Sequence, residues 1–231
     1  MLKKILKVLG VLIAAVLIFA VVLIGWLSVT EYKPAAVEEA KTYDFEAAKS
    51  LSKEENIKLL SFNTGYAGLG EEADFFMDGG KNTTTGDEST VRKNLDGMSE
   101  IIASSGADIC LLQEVDADSK RSYGIDQREY YLSGAERPAA YALNYSCAYV
   151  PFPLPTIGKV HSGLMTISDY EIVASERVSL PCPFSWPVRV ANLKRCLLVS
   201  YCDIEGTDAK LVIVNLHLEA YDDGEGKAAQ T

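Results

Sequence analysis

The chain has 231 residues, a formal net charge of −10, a hydrophobic share of 48% and five cysteines. That hydrophobic share can fill one sizeable core, which excludes a disordered chain. The acidic balance argues against a protein that grips nucleic acid through many phosphates, since that needs a basic face. The odd number and wide scatter of the cysteines argue against a disulfide framework, and the absence of CxxC argues against a structural zinc site.

Val8 to Val29 contains no charged residue and follows Lys3, Lys4 and Lys7. At about 1.5 Å per residue this run is long enough for a hydrocarbon core of roughly 30 Å. It lacks the small-x-small site of a cleaved signal peptide, so residues 1–30 read as an uncleaved single-pass anchor. The lysines place its start in the cytoplasm and Trp26 suits the far interface, so everything after Thr30 is expected on the extracytoplasmic side of the cell membrane. Residues 1–30 hold three lysines and no acid, leaving −13 on the remainder. Residues 31–56, rich in Glu, Lys and Ala, read as a tether, partly helical, ahead of a domain at 57–231.

In that domain Ile57 to Phe62 reads as a strand. Val91 to Ala103 reads as a helix capped by Ser89 or Thr90, with Leu95, Met98, Ile101 and Ile102 on one face. Asp108 to Gln113, Ala140 to Val150, Gly163 to Ser168, Ile172 to Ser179, Cys196 to Ile204 and Leu211 to Leu218 are further strands, the last two joined by a turn at Glu205-Gly206-Thr207-Asp208. Many strands with few helices imply α and β layers around packed sheets.

Three strands end on polar residues: IKLLSFN at Asn63, DICLLQE at Glu114, and LVIVNLHLE at and beyond His217. Alternation along the last puts Val212, Val214, Leu216 and Leu218 on the core face, with Asn215, His217 and Glu219 opposite. If the three ends share one rim, an amide, a carboxylate and an imidazole share a cleft. Singly, each has a plainer reading: a turn-capping Asn, a solvated Glu, a satisfied structural His.

The segments LLSFNTGY, ADICLLQEVD, HSGLMTISDYEI and LVIVNLHLEA, in this order and at these separations, resemble the endonuclease/exonuclease/phosphatase superfamily, which includes deoxyribonuclease I. EEADFFMDGG and PCPFSWPVRVANLKRCLL look more closely like its membrane-anchored bacterial members. The resemblance implies a four-layer α/β sandwich with two mixed sheets and a site at one end of them. It implies Glu114 as the principal metal carboxylate, Asn63 as its partner at the metal and phosphate, and His217 as the histidine on the scissile phosphate. His161 and Asn215 become substrate-binding residues, His161 standing where AP endonucleases have a tyrosine. The implied cofactor is Mg2+, with Mn2+ as a substitute, because a hard cation can work with one or two carboxylates, water and a phosphate.

The superfamily's G-D-x-N and S-D-H segments do not occur here. Asp222 and Asp223, in a turn, come too soon after His217 to replace them, and Gly224 to Thr231 reads as the start of a helix. The expectation is therefore a fragment of a Mg-dependent phosphoesterase, incomplete at the C-terminus and inactive alone. It would be a monomer whose phosphoester substrate is nucleic acid or phospholipid. The alternatives are a sphingomyelinase-like lipid phosphodiesterase and a non-catalytic, membrane-displayed binding module. Lys194 and Arg195 face phosphate or form a solvated pair, and Phe184 to Pro187 shapes a cleft, touches lipid or packs.

Overall fold

Nine strands form two sheets in the computed structural model, which describes residues 1–46, 48–70, 73–75, 79–84, 86–219 and 225–231. The first sheet has the order β2-β5-β6-β4-β3, with β2 (Lys41–Tyr43), β3 (Leu59–Asn63), β4 (Ile109–Asp116), β5 (Ala139–Val150) and β6 (Gly158–Ser168). Its pairs are antiparallel except β3 with β4, which run parallel through the crossover that carries α2 (Glu88–Ser105). The second sheet has the order β1-β7-β8-β9, with β1 (Val37–Glu39), β7 (Ala174–Ser179), β8 (Cys196–Asp203) and β9 (Lys210–Leu216). It is antiparallel throughout rather than mixed.

One face of the five-stranded sheet carries the helices. Asp87, not Ser89 or Thr90, caps α2: its carboxylate accepts from the Thr90 amide at 2.8 Å, and Gly106 closes the helix at φ 60°. Val91, Leu95 and Ile102 are buried against Cys110, Leu112 and Met165, whereas Ile101, expected on that face, is 49% exposed. A second helix, α3 (Gln127–Ala135), capped by Asp126, completes this layer. The opposite face packs on the second sheet through Ile109, Ala140, Ala142 and Leu164 against Cys196, Leu198, Cys202 and Ile213. Each such large aliphatic side chain contributes about 1.5–3 kcal/mol by leaving water. All five cysteines are free.

Within the stretch expected to be a tether, β1 pairs with β7 and β2 with β5, so the chain passes from one sheet to the other at Ala40. The core face of β9 is the reverse of the alternation read from sequence. Val212, Val214 and Leu216 are exposed, while Ile213 and Asn215 lie between the sheets. An asparagine sits inside because its amide has buried backbone partners there. The last helix, α4, spans Glu225–Gln230, in the segment expected to begin one.

The N-terminal helix α1 (Leu2–Val29) is long and apolar enough to cross a membrane. Its last turns lie against the domain, with Leu27 buried among Cys147, Val150, Val160 and Val190.

Candidate active site

Because β3 and β4 are parallel neighbours, their C-terminal ends fall on one rim. Asn63 is the last residue of β3. β4 does not stop at Glu114 as its apolar run implies; it continues to Asp116 through a register shift between Leu112 and Val115. Inside this irregularity Glu114 takes φ 58°, the left-handed region that costs a non-glycine residue on the order of 1–3 kcal/mol. Bulges of this kind re-aim a side chain, and here the carboxylate turns to Asn63. Gly163 sits on β6 beside the bulge, where a Cβ would lie 2.2 Å from the Ala142 carbonyl oxygen, so only glycine fits.

Asn63 Nδ2 donates to Glu114 Oε1 at 3.0 Å, and Asn63 Oδ1 accepts from the Gly65 amide at 2.9 Å. The Thr64 hydroxyl and amide both donate to the Gln113 carbonyl and hold the β3 end to β4. His217, just beyond β9, brings Nε2 to 3.8 Å from the same Glu114 oxygen, past hydrogen-bonding distance. Its Nδ1 is buried with no hydrogen-bond partner among the described residues. Burial, helped by the Arg195 charge, lowers the His217 pKa below 6.5 against the opposing pull of Glu114 and Glu219. The imidazole is therefore neutral at pH 7.

The segment carrying His217 is fastened by Arg195, the residue before β8. Arg195 donates to the His217 carbonyl at 2.9 Å and pairs with Glu219 at 3.1 Å, both side chains almost fully buried. The Glu219 amide donates to Gln230 of α4 at 2.8 Å. Arg195 is thus neither a phosphate contact nor part of a solvated pair, and Lys194 bonds to Glu31 at 3.3 Å.

A cleft of about 640 Å³ opens over Glu114 and His217. Arg121, absent from the sequence reading, joins its lining: the guanidinium is held by buried Asp116 at 2.9 Å and stacks on the Tyr66 ring at 3.8 Å. Neither Arg121 nor Tyr66 carries a periodic signal, since both sit in one-turn segments. Much of the remaining lining is apolar and includes Leu23, Ile24 and Leu27 of α1.

Two expected site residues lie elsewhere. Asn215 does not reach the cleft: its amide donates to the Leu112 and Met165 carbonyls at 3.0 Å each and accepts from Gln113 Nε2 at 2.8 Å. Every polar atom of that side chain is used in a strut between the sheets. His161 is on the face of β6 opposite Ser162 and points into a separate recess with Asp118, Arg128, Tyr141 and Arg177. Burial, then Lys159, lowers its pKa below 6.5. Asp222 and Asp223 lie outside the described residues.

No cluster of three or more His, Cys, Asp or Glu side chains converges on a cation-sized position among the described residues. The set that does converge, one carboxylate with an amide and an imidazole, does not fit a zinc cage. It does fit magnesium, which keeps several waters and needs few protein oxygens.

The architecture is a two-sheet α/β sandwich with a largely apolar cleft that carries a few polar side chains near its strand ends. The chain is similar to an endonuclease/exonuclease/phosphatase from Beutenbergia cavernae, with a TM-score of 0.52 and 19% identity over 75% of this chain and 42% of that one. It is less similar to a humanised D. rerio TDP2, with TM-score 0.40 and 15% identity over 73% of this chain and 49% of that one. For TDP2 from C. elegans the TM-score is 0.41, with 18% identity over 79% and 41%. The first likeness shows the fold, the deoxyribonuclease I-like endonuclease/exonuclease/phosphatase type. This chain spans less than half the length of each of these proteins. No family model and no curated protein matches the sequence.

Proposed function

We propose that this chain carries the metal-binding half of a magnesium-dependent phosphodiesterase, monomeric and held on the extracytoplasmic face of the membrane by α1. The observation that supports this most is the meeting of Asn63, Glu114 and His217 at the ends of three separate chain runs, Glu114 and His217 lining one cleft and Asn63 bonded to Glu114, within a fold also adopted by an endonuclease/exonuclease/phosphatase protein. Glu114 and the waters it orients would hold the cation, which supplies charge neutralisation at the phosphate. Asn63 fixes the carboxylate by donating to one of its oxygens. Neutral His217 can donate to a phosphate oxygen, and Arg121 adds a permanent positive charge to the wall.

A hydrolase of this type also aims water and steadies the phosphate through G-D-x-N and S-D-H segments, which do not occur among the 231 residues. Cation binding, rather than turnover, is therefore the informative measurement. Titration calorimetry of the detergent-solubilised chain with Mn2+ is expected to give one site, abolished by Glu114→Gln and weakened about 10–100-fold by Asn63→Ala. Undiminished affinity in Glu114→Gln would sink the proposal and favour the binding-module reading.

Of the two substrate classes, the −13 charge beyond residue 30 and the largely apolar cleft favour a lipid or small phosphoester over nucleic acid.

A further inference from the structure

The end of α1 is fastened to the domain at several points. Leu27 is 3% exposed in an apolar cluster with Val150, Val160 and Val190, and Leu23 packs on the same cluster. Trp186 Nε1 donates to the Ser28 hydroxyl at 3.1 Å, and Glu31 pairs with Arg189 at 2.9 Å and Lys194 at 3.3 Å. The helix axis is thereby fixed against the cleft, whose wall it forms with Leu23, Ile24 and Leu27.

Two proline-punctuated loops flank this contact. Pro151, Pro153 and Pro155 keep the β5–β6 connection out of the sheet, and Pro181, Pro183 and Pro187 do the same after β7. Their tips present Phe152, Leu154, Trp186 and Val188 at 74%, 79%, 59% and 55% exposure. Such a cluster of exposed aromatic and aliphatic side chains, next to an apolar cleft wall, marks an interaction surface.

The length of α1 selects the partner. Val8 to Val29 is 22 residues, about 33 Å of helix and just enough for a hydrocarbon core of roughly 30 Å. If the turns that line the cleft were held outside the bilayer, Val8 to Val22 would offer only about 22 Å. The span therefore needs Leu23 to Val29 within the membrane. Leu23 lies about 9 Å below Val29, which matches the 5–10 Å to which apolar faces settle at the headgroup and acyl boundary. Whatever packs on Leu23 and Leu27 enters with them.

We propose that the loop tips at 151–154 and 184–188 are seated in the interfacial layer of the bilayer that α1 enters, so that the cleft opens onto lipid headgroups. On the phosphoesterase reading above, on which this one extension rests, the substrate phosphate is then part of a membrane lipid and reaches Glu114 without leaving the bilayer surface.

The seating is tested without metal or turnover, so it fails or stands independently of that reading. The chain contains two tryptophans, so Trp26→Phe leaves Trp186 as the sole indole. A second protein, Phe152→Trp with both native tryptophans changed to Phe, reports from the other loop at a side chain that packs on little. After reconstitution of the full chain in phosphatidylcholine vesicles, both reporters are expected to lose roughly half their emission to lipid spin-labelled high on the acyl chain and to be shielded from iodide. Emission unaffected by the labelled lipid and quenched by iodide, at either position, would overturn the proposal.

Discussion

Glu114 sits where a glutamate is unfavourable. Its φ of 58° stores strain that the flanking strands hold in place, and the strain coincides with the carboxylate's approach to Asn63 and His217. Glycine adopts this conformation freely, at a chain-entropy cost of roughly 0.5–1 kcal/mol, below or near the strain it removes. Glu114→Gly is therefore expected to unfold at a urea midpoint no lower than wild type while losing Mn2+ binding. A midpoint lowered by the equivalent of about 2 kcal/mol would mean that the carboxylate is a structural group first. The residue types at the site were legible in the sequence, because Asn63, Glu114 and His217 interrupt or end apolar runs. The conformation of Glu114 was not, because a register shift leaves no trace in alternation when Gln113 and Glu114 are both polar.

Among the elements, β9 shows how a pattern can be read with the wrong sign. Leu211 to Val214 are all apolar, so the alternation rests on Asn215 and His217 against Val214, Leu216 and Leu218, and the face turned inward is the one carrying Ile213 and Asn215. Alternation identifies two faces; which is buried depends on what the opposing sheet offers, here the Leu112 and Met165 carbonyls near the β4 bulge. The three-residue strands β1 and β2 escaped the sequence reading because one and a half alternations of Glu, Lys and Thr carry no periodic signal, and their pairing energy comes from β7 and β5. Beyond β9, position is set by ionic contacts rather than a ladder. The buried Arg195–Glu219 pair holds the His217 backbone, so removing one partner strands a charge in low dielectric. Arg195→Met and Glu219→Gln are each expected to cost about 3–5 kcal/mol in denaturant unfolding, and the double variant less than the sum of the two. Additive losses would show that the two side chains act separately.

At the scale of the molecule, the two histidines are the only side chains that ordinarily change charge between pH 5 and 8 apart from perturbed groups, and both are lowered by burial. Above about 6.5 neither the folded nor the unfolded chain protonates them. As pH falls below that value the unfolded chain binds protons first, so stability declines until the lower folded values are passed. The carboxylates with depressed values, Glu31, Asp87 and Asp126, act in a separate window below 4.5. The thermal midpoint is expected to be level from pH 8 to 7 and to fall between about 6.5 and 5, with a shallower fall in His161→Gln and in His217→Gln. A level profile down to pH 5 would contradict the burial of both rings.

The sequence by itself determined most of the elements and their order: a 22-residue apolar run, the seven longer strands, one long helix, the hairpin at Gly206, and the polar residues that interrupt or end apolar runs. These are local properties, written in hydrophobic period and turn chemistry over a few residues. Only the tertiary structure decided which strand ends meet, that Asn215 braces the sheets while His161 faces another recess, and that α1 walls the cleft beside Glu114. Those outcomes depend on pairing partners and backbone acceptors from distant parts of the chain, and no window along the sequence contains both members of such a pair.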